Sequence, residues 1–260
     1  MKRQPVVGLS LKLYHYQMEA NIQRGQELAK ALSNSPVELI YFPHVGAISQ
    51  VAEALSGTPI GLGSQNIAPV ASGAYTGEYS ILSLKEAGGK YVEIGHSERR
   101  RRFKEDDEMI RQKVRLTLAE GLIPLLCLGE EQKLVDPLAR REVLERQLFL
   151  ALQGLKSEQI SQVIIAYEPV WAIGQSVAAA APYVHESHQL IRQLLAKHFG
   201  FPVSQVVRII YGGSVSQENA EFITAHPDVD GVFVGRFGHQ IERLQAIVTT
   251  VVNKDKTLRK

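Results

Sequence analysis

Three ionisable residues set the chemical question: Lys12 in "GLSLKLY", His96 in "EIGHSERR" and Glu168 in "AYEPVW". Each follows a short run of mostly apolar residues, and the three are far apart along the chain. A carboxylate, an imidazole and an ammonium are the groups that move a proton beside a carbonyl. The carboxylate takes the proton, the imidazole polarises the oxygen, and the ammonium offsets the charge that develops on the enediolate. Two further runs end in glycine, at "YGGSV" (211–215) and "VGRFG" (234–238). Glycine-rich turns that open helices present backbone N–H groups to an anion such as phosphate. No two histidines stand four residues apart, and the single cysteine, Cys127, has no thiolate partner, so the sequence demands no metal and no cofactor.

These residues can meet only if the elements before them are gathered at one end of a common scaffold. The apolar runs are "PVVGL" (5–9), "VELIYF" (37–42), "PIGLGS" (59–64), "YVEI" (91–94), "LIPLLCL" (122–128), "VIIAY" (163–167), "VRIIY" (207–211) and "GVFV" (231–234). Short runs without strict alternation suit strands buried on both faces, as in parallel sheets. Longer segments with helical spacing separate them, at 17–33, 106–120, 138–153, 183–198 and 240–252. In the second, Ile110, Val114 and Leu118 form one apolar stripe, and the third closes at Gly154, a residue suited to a helix end. About eight strands alternating with about eight helices over 260 residues predict an α/β fold, a single (β/α)8 TIM barrel over 1–260. A doubly wound open sheet is the runner-up, but no Gly-x-Gly-x-x-Gly follows the first strand. In such a barrel the site forms at the C-terminal ends of the strands, where Lys12, His96, Glu168 and the two glycine turns all fall.

Composition narrows the partners. The chain carries 29 basic and 27 acidic residues, a formal charge of +2, which argues against a nucleic-acid binder. In the run of four arginines at 99–102, those at 100–102 therefore read as a solvated face balanced by "KEDDE" (104–108), while Arg99, nearest the site, braces its loop through a carboxylate. One cysteine excludes an intrachain disulfide, and its setting in "LIPLLCLGE" makes it a buried thiol. The apolar run near the N-terminus is too short for a signal segment or a membrane span, so no membrane partner and a cytoplasmic location are expected.

The motifs "AYEPVWAIG" (166–174), "GHSERR" (95–100), "IIYGGSV" (209–215), "GAYTGE" (73–78) and "DVDGVFVG" (228–235) resemble those of triosephosphate isomerases, in the same order and along nearly the whole chain. The resemblance implies a cofactor-free isomerase of a small phosphorylated sugar. It makes Glu168 the proton shuttle, His96 a neutral electrophile and Lys12 the electrostatic group, with Glu98 holding Lys12. "PVWAIGQS" (169–176) is then a closing lid packed by Trp171. Gly174, Ser214 and the backbone at Gly235 and Arg236 form a phosphate cradle, and "SGAYTGE" (72–78) is a dimer loop carrying Thr76 to the site of a second copy in a homodimer.

The sequence departs from the family pattern at Ser10-Leu11-Lys12, where Asn-Trp-Lys is usual, at Gly235-Arg236, where Gly-Gly is usual, at Phe233, and at the lid's distal end, Gln175-Ser176-Val177. Ser10 with Arg236 resembles the branch of L-erythrulose 1-phosphate isomerases, which yield D-erythrulose 4-phosphate. Triosephosphate isomerase proper is the alternative, and a phosphate-ligand-binding protein without catalysis is a third reading, opposed by the retained base. Ser10 either contacts substrate or fills space. Arg236 either neighbours the phosphate or makes a surface ion pair.

Overall fold

The computed structural model describes residues 3–257, the side chains of 255–257 excepted. The expectation of one domain over 1–260 extends beyond those residues at both ends. Eight strands run in chain order: β1 (Val6–Ser10), β2 (Glu38–Phe42), β3 (Gly61–Ser64), β4 (Tyr91–Ile94), β5 (Ile123–Leu128), β6 (Ile164–Tyr167), β7 (Arg208–Tyr211) and β8 (Gly231–Val234). Each pairs in parallel with the next, and β8 pairs back onto β1 through Val6–Gly231 and its neighbours, closing the expected barrel.

The parity of each strand divides its side chains between two cores. Leu39 and Tyr41 of β2 point outward to the helices, while Ile40 and Phe42 point into the barrel with Val6, Tyr91, Leu125, Ile164, Ala166, Ile210 and Phe233. Both faces are apolar, which is why the runs lack strict alternation. The barrel interior fits large rings only where small residues face them. A Cβ on Gly63 would sit 2.3 Å from the Phe42 ring.

The five long helices fall where the spacing predicts them, at Met18–Leu32, Asp107–Ala119, Pro137–Leu152, Ala181–Phe199 and Ile241–Thr257, the last running further than expected. Ile110, Val114 and Leu118 are buried as one stripe. Helix starts follow their caps. The Asp106 carboxylate accepts from the Met109 N–H at 2.8 Å, and the Asp136 carboxylate from the Leu138 N–H at 3.0 Å with Pro137 at the first turn. Gly154, just past the third long helix, adopts φ +75°, the left-handed conformation that ends helices. Six short helices, among them Ser97–Arg102 after β4 and Ala220–Thr224 after β7, escaped the sequence reading. Four to seven residues hold too few turns for an apolar stripe to register. No helix among the described residues is long and apolar enough to cross a membrane.

Candidate active site

At the C-terminal mouth of the barrel, Lys12, His96 and Glu168 come together. Lys12 follows β1 in a left-handed conformation, φ +49°, and Ser214 after β7 has φ +53°. Two of the three non-glycine residues with positive φ among the described residues thus lie here, each costing about 1–2 kcal/mol of backbone strain. The turn carrying Lys12 is held by Gln65, whose amide nitrogen lies within 3.1 Å of the carbonyls of Lys12, Phe42 and Pro43. The Lys12 ammonium donates to Glu98 Oε1 at 2.8 Å, as the resemblance implied. Burial lowers the lysine's pKa, but the charges of Glu93 and Glu98 and the Glu98 hydrogen bond outweigh it, leaving the pKa raised and the group charged.

His96 caps the helix Ser97–Arg102. Its Nδ1 accepts from the Glu98 N–H at 3.1 Å, which leaves the ring proton on Nε2. Nε2 lies 3.0 Å from Lys12 Nζ and 3.6 Å from Glu168 Oε2. Burial first, and the Lys12 charge second, depress its pKa to about 3, so the imidazole is neutral.

Glu168, just past β6, is 5% exposed, and its Oε2 has no hydrogen-bond partner among the described residues. Burial, reinforced by the charge of Glu93 and opposed by Lys12, raises its pKa to about 8. Gly212 makes room for it, since a Cβ there would sit 2.8 Å from Glu168 Oε1. A carboxyl poised near neutrality beside a neutral N–H donor and a cation is equipped for proton transfer at a carbon next to a carbonyl.

Two chambers meet at Ser10, Lys12, His96 and Glu98, which line both. The first, about 90 Å³, is walled by Glu168, Gly174, the 212–215 turn and the 233–237 turn. Its size is that of roughly three water molecules, suited to a compact group such as a phosphate. Gly174, Ser214, Gly235 and Arg236, the expected cradle, all line it. Ser214 Oγ lies 2.9 Å from the carbonyls of Ala172 and Gln175, and Arg236 donates to the Gly174 carbonyl at 2.9 Å. Among the described residues Arg236 makes no ion pair; it ties the loop after β8 to the loop after β6. The second chamber, about 740 Å³, opens toward Gln65, Asn66, Glu78 and Phe103. Thr76 stands in the exposed loop 73–78.

Three residues needed the structure. Glu130, 1% exposed, accepts hydrogen bonds from Tyr167, Trp171 Nε1 and Tyr183 at 2.8–3.1 Å, fixing the start of the loop 169–176. Glu93 faces the barrel interior, 4% exposed, where "YVEI" had registered only as a buried strand. A lone acid inside a strand buried on both faces was the available signal. Arg100 is not simply solvated. Its guanidinium donates to the Gly95 carbonyl at 3.0 Å and pairs with Asp107 at 2.6 Å, tying the turn before His96 to the next helix, while Arg101 and Arg102 are exposed as expected. Arg99 pairs with Glu105 at 2.6 Å, the brace expected of it. His198 meets Glu145 at 2.5 Å, and His15 meets His239 at 3.1 Å.

Comparison with known proteins agrees with this geometry. The family model for triosephosphate isomerase matches residues 5–251. A probable triosephosphate isomerase 2 of Listeria monocytogenes serotype 4b (strain F2365) is 39% identical over 255 residues, 98% of this chain and 99% of that one. The triosephosphate isomerase of Symbiobacterium thermophilum is 42% identical over 233 residues, covering 90% and 91%. That of Carboxydothermus hydrogenoformans is 41% identical over 247 residues, covering 95% and 98%. Matches of this length, on a closed eight-stranded barrel with acid, imidazole and lysine at its mouth, place the chain in the triosephosphate isomerase family, as an isomerase of the intramolecular oxidoreductase class.

Proposed function

We propose that this enzyme interconverts L-erythrulose 1-phosphate and D-erythrulose 4-phosphate through a cis-enediolate. The phosphate sits in the smaller chamber, against the backbone at Gly174, Ser214 and Gly235, with Arg236 at its edge. Glu168 removes the proton from C3. Electrons from that C–H bond form the C2–C3 double bond, and the carbonyl oxygen at C2 takes the negative charge. His96 donates its Nε2 hydrogen bond to the oxygens, and Lys12 offsets the charge. Glu168 then returns its proton to C2, consuming the C2–C3 double bond, while the C3 hydroxyl proton passes through His96 to the C2 oxyanion, leaving a hydroxyl at C2 and the carbonyl at C3. Oxidation at one carbon balances reduction at its neighbour, and no external oxidant is needed.

The observation that carries the four-carbon reading is Ser10. It is 4% exposed, lines both chambers, and stands where they meet. Its short side chain leaves room beside the reacting carbons, on the side away from the phosphate, where the tetrulose carries a hydroxymethyl group that dihydroxyacetone phosphate lacks. Under the same reading the enzyme acts in the cytoplasm as a homodimer. The larger chamber, rimmed by the exposed apolar residues Leu13, Tyr14 and Phe103, then receives the loop 73–78 and Thr76 of a second copy. The room that the substrate uses is therefore the junction at Ser10, not the whole of that chamber.

The relatives' names favour a second reading, triosephosphate isomerase proper. Steady-state kinetics on purified protein with L-erythrulose 1-phosphate and dihydroxyacetone phosphate separates the two. The expected result is a higher kcat/KM for the tetrulose, lost on Ser10→Asn, which narrows the junction. A strong wild-type preference for the triose replaces the four-carbon reading by the second, and turnover of neither removes the catalytic one.

A further inference from the structure

Glu93 takes no part in the proton transfer, yet it is a carboxyl placed where the barrel would otherwise hold an apolar side chain. It lies on β4 with the inward parity of Tyr91, among Phe42, Leu125 and Cys127 on the barrel's inner face. Its one hydrogen-bond donor among the described residues is Ser10 Oγ at 3.3 Å, long for a bond between a hydroxyl and a carboxylate. A buried carboxyl with so little compensation is unfavourable for folding, and packing does not call for one. Burial raises its pKa to about 7, with Lys12 the main opposing influence. Glu93 borders the larger chamber and not the glycine-lined one, beside Ser10, Lys12 and His96.

With the phosphate in the smaller chamber and the reacting carbons between Glu168 and His96, the far end of the substrate passes Ser10. The next polar group it meets is Glu93. We infer that Glu93 accepts a hydrogen bond from the terminal hydroxymethyl group of the substrate and thereby selects a four-carbon ketose phosphate over a three-carbon one. The inference rests on the tetrulose reading above and names the residue that enforces it. A hydroxyl donating to this carboxyl supplies the strong partner that Ser10 alone does not. A three-carbon substrate ends short of Glu93 and leaves it uncompensated, and sites built to bond a hydroxyl discriminate strongly against analogues lacking it.

The competing role is a counter-ion for Lys12, whose loss would slow both substrates alike. The test therefore compares Glu93→Gln and Glu93→Ala with wild type, measuring kcat/KM on L-erythrulose 1-phosphate and dihydroxyacetone phosphate with the same preparations. The expected result is a fall of about ten- to a hundredfold in the tetrulose-to-triose ratio. Calorimetric binding of erythritol 4-phosphate and glycerol 3-phosphate, which cannot be isomerised, reads the same selectivity even where a variant is slow. Wild-type turnover of the tetrulose together with an unchanged ratio, or equal losses on both substrates, overturns the role of Glu93 alone. Absence of tetrulose turnover by the wild type overturns the proposed function, and this role falls with it.

Discussion

Replacing Glu168 by aspartate is expected to lower kcat by about a hundredfold while changing KM far less. The substitution keeps the carboxylate and withdraws it by one methylene. The backbone at Glu168 cannot follow, because its N–H is bound to the Leu128 carbonyl at 2.8 Å. Gly212, which admits the glutamate side chain, has no atom to fill the space left behind. In the proposed reading the phosphate is held by other elements, so the ground state loses little. The transition state, which requires the carboxylate within reach of two adjacent carbons, loses most. Steady-state kinetics on the preferred substrate decides the matter. Retention of full kcat excludes Glu168 as the base.

Replacing Lys12 by methionine is expected to lower kcat/KM by about two to three orders of magnitude, the cost of removing one preorganised electrostatic contact to the developing oxyanion. It also has a signature in pH. The Glu168 carboxyl is raised to about 8 by burial and by Glu93, and Lys12 holds it from rising further. The active base is the carboxylate, so wild-type kcat/KM in the free enzyme should climb as pH rises through about 8 and level off above it. Without the ammonium the carboxylate is harder to form, and the midpoint of that climb should move upward. A pH profile of the variant with an unmoved midpoint shows that Lys12 does not act on the charge of Glu168. The His96 side of the site gives no competing limb near neutrality, since burial and Lys12 keep the ring neutral down to about pH 3.

Most of the scaffold was readable before any coordinates. All eight strands fall within two residues of the apolar runs, because a strand buried on both faces leaves a contiguous apolar run. Gly154 marked a helix end through chemistry local enough to read in one dimension, whereas the Asp106 and Asp136 caps emerged only with the fold. Lys12, His96 and Glu168 were legible because each follows a strand end. What escaped depends on direction rather than order. Whether Glu93 faces the barrel or the helices is a matter of parity, and "YVEI" does not set the parity of a four-residue strand. Arg100 stands inside an arginine run whose four members look alike in the sequence, and the fold alone separates the one that grips Gly95 from the two in solvent. The bond from Arg236 to Gly174 spans 62 positions, and no local pattern announces it.

Cys127 gives the barrel a gauge of its own opening. It is the chain's single cysteine, 1% exposed on the inner face of β5, and burial together with the charges of Glu168 and Glu93 pushes its thiol well up. Alkylating reagents attack the thiolate and must reach it, so the closed barrel is inert to them. Labelling then proceeds only through molecules whose staves have parted, and its rate at a given reagent concentration measures how often that happens. A sugar phosphate that binds only the closed form slows the labelling by mass action. Ligand affinity thereby becomes readable from a covalent clock already built into the wall beside the base.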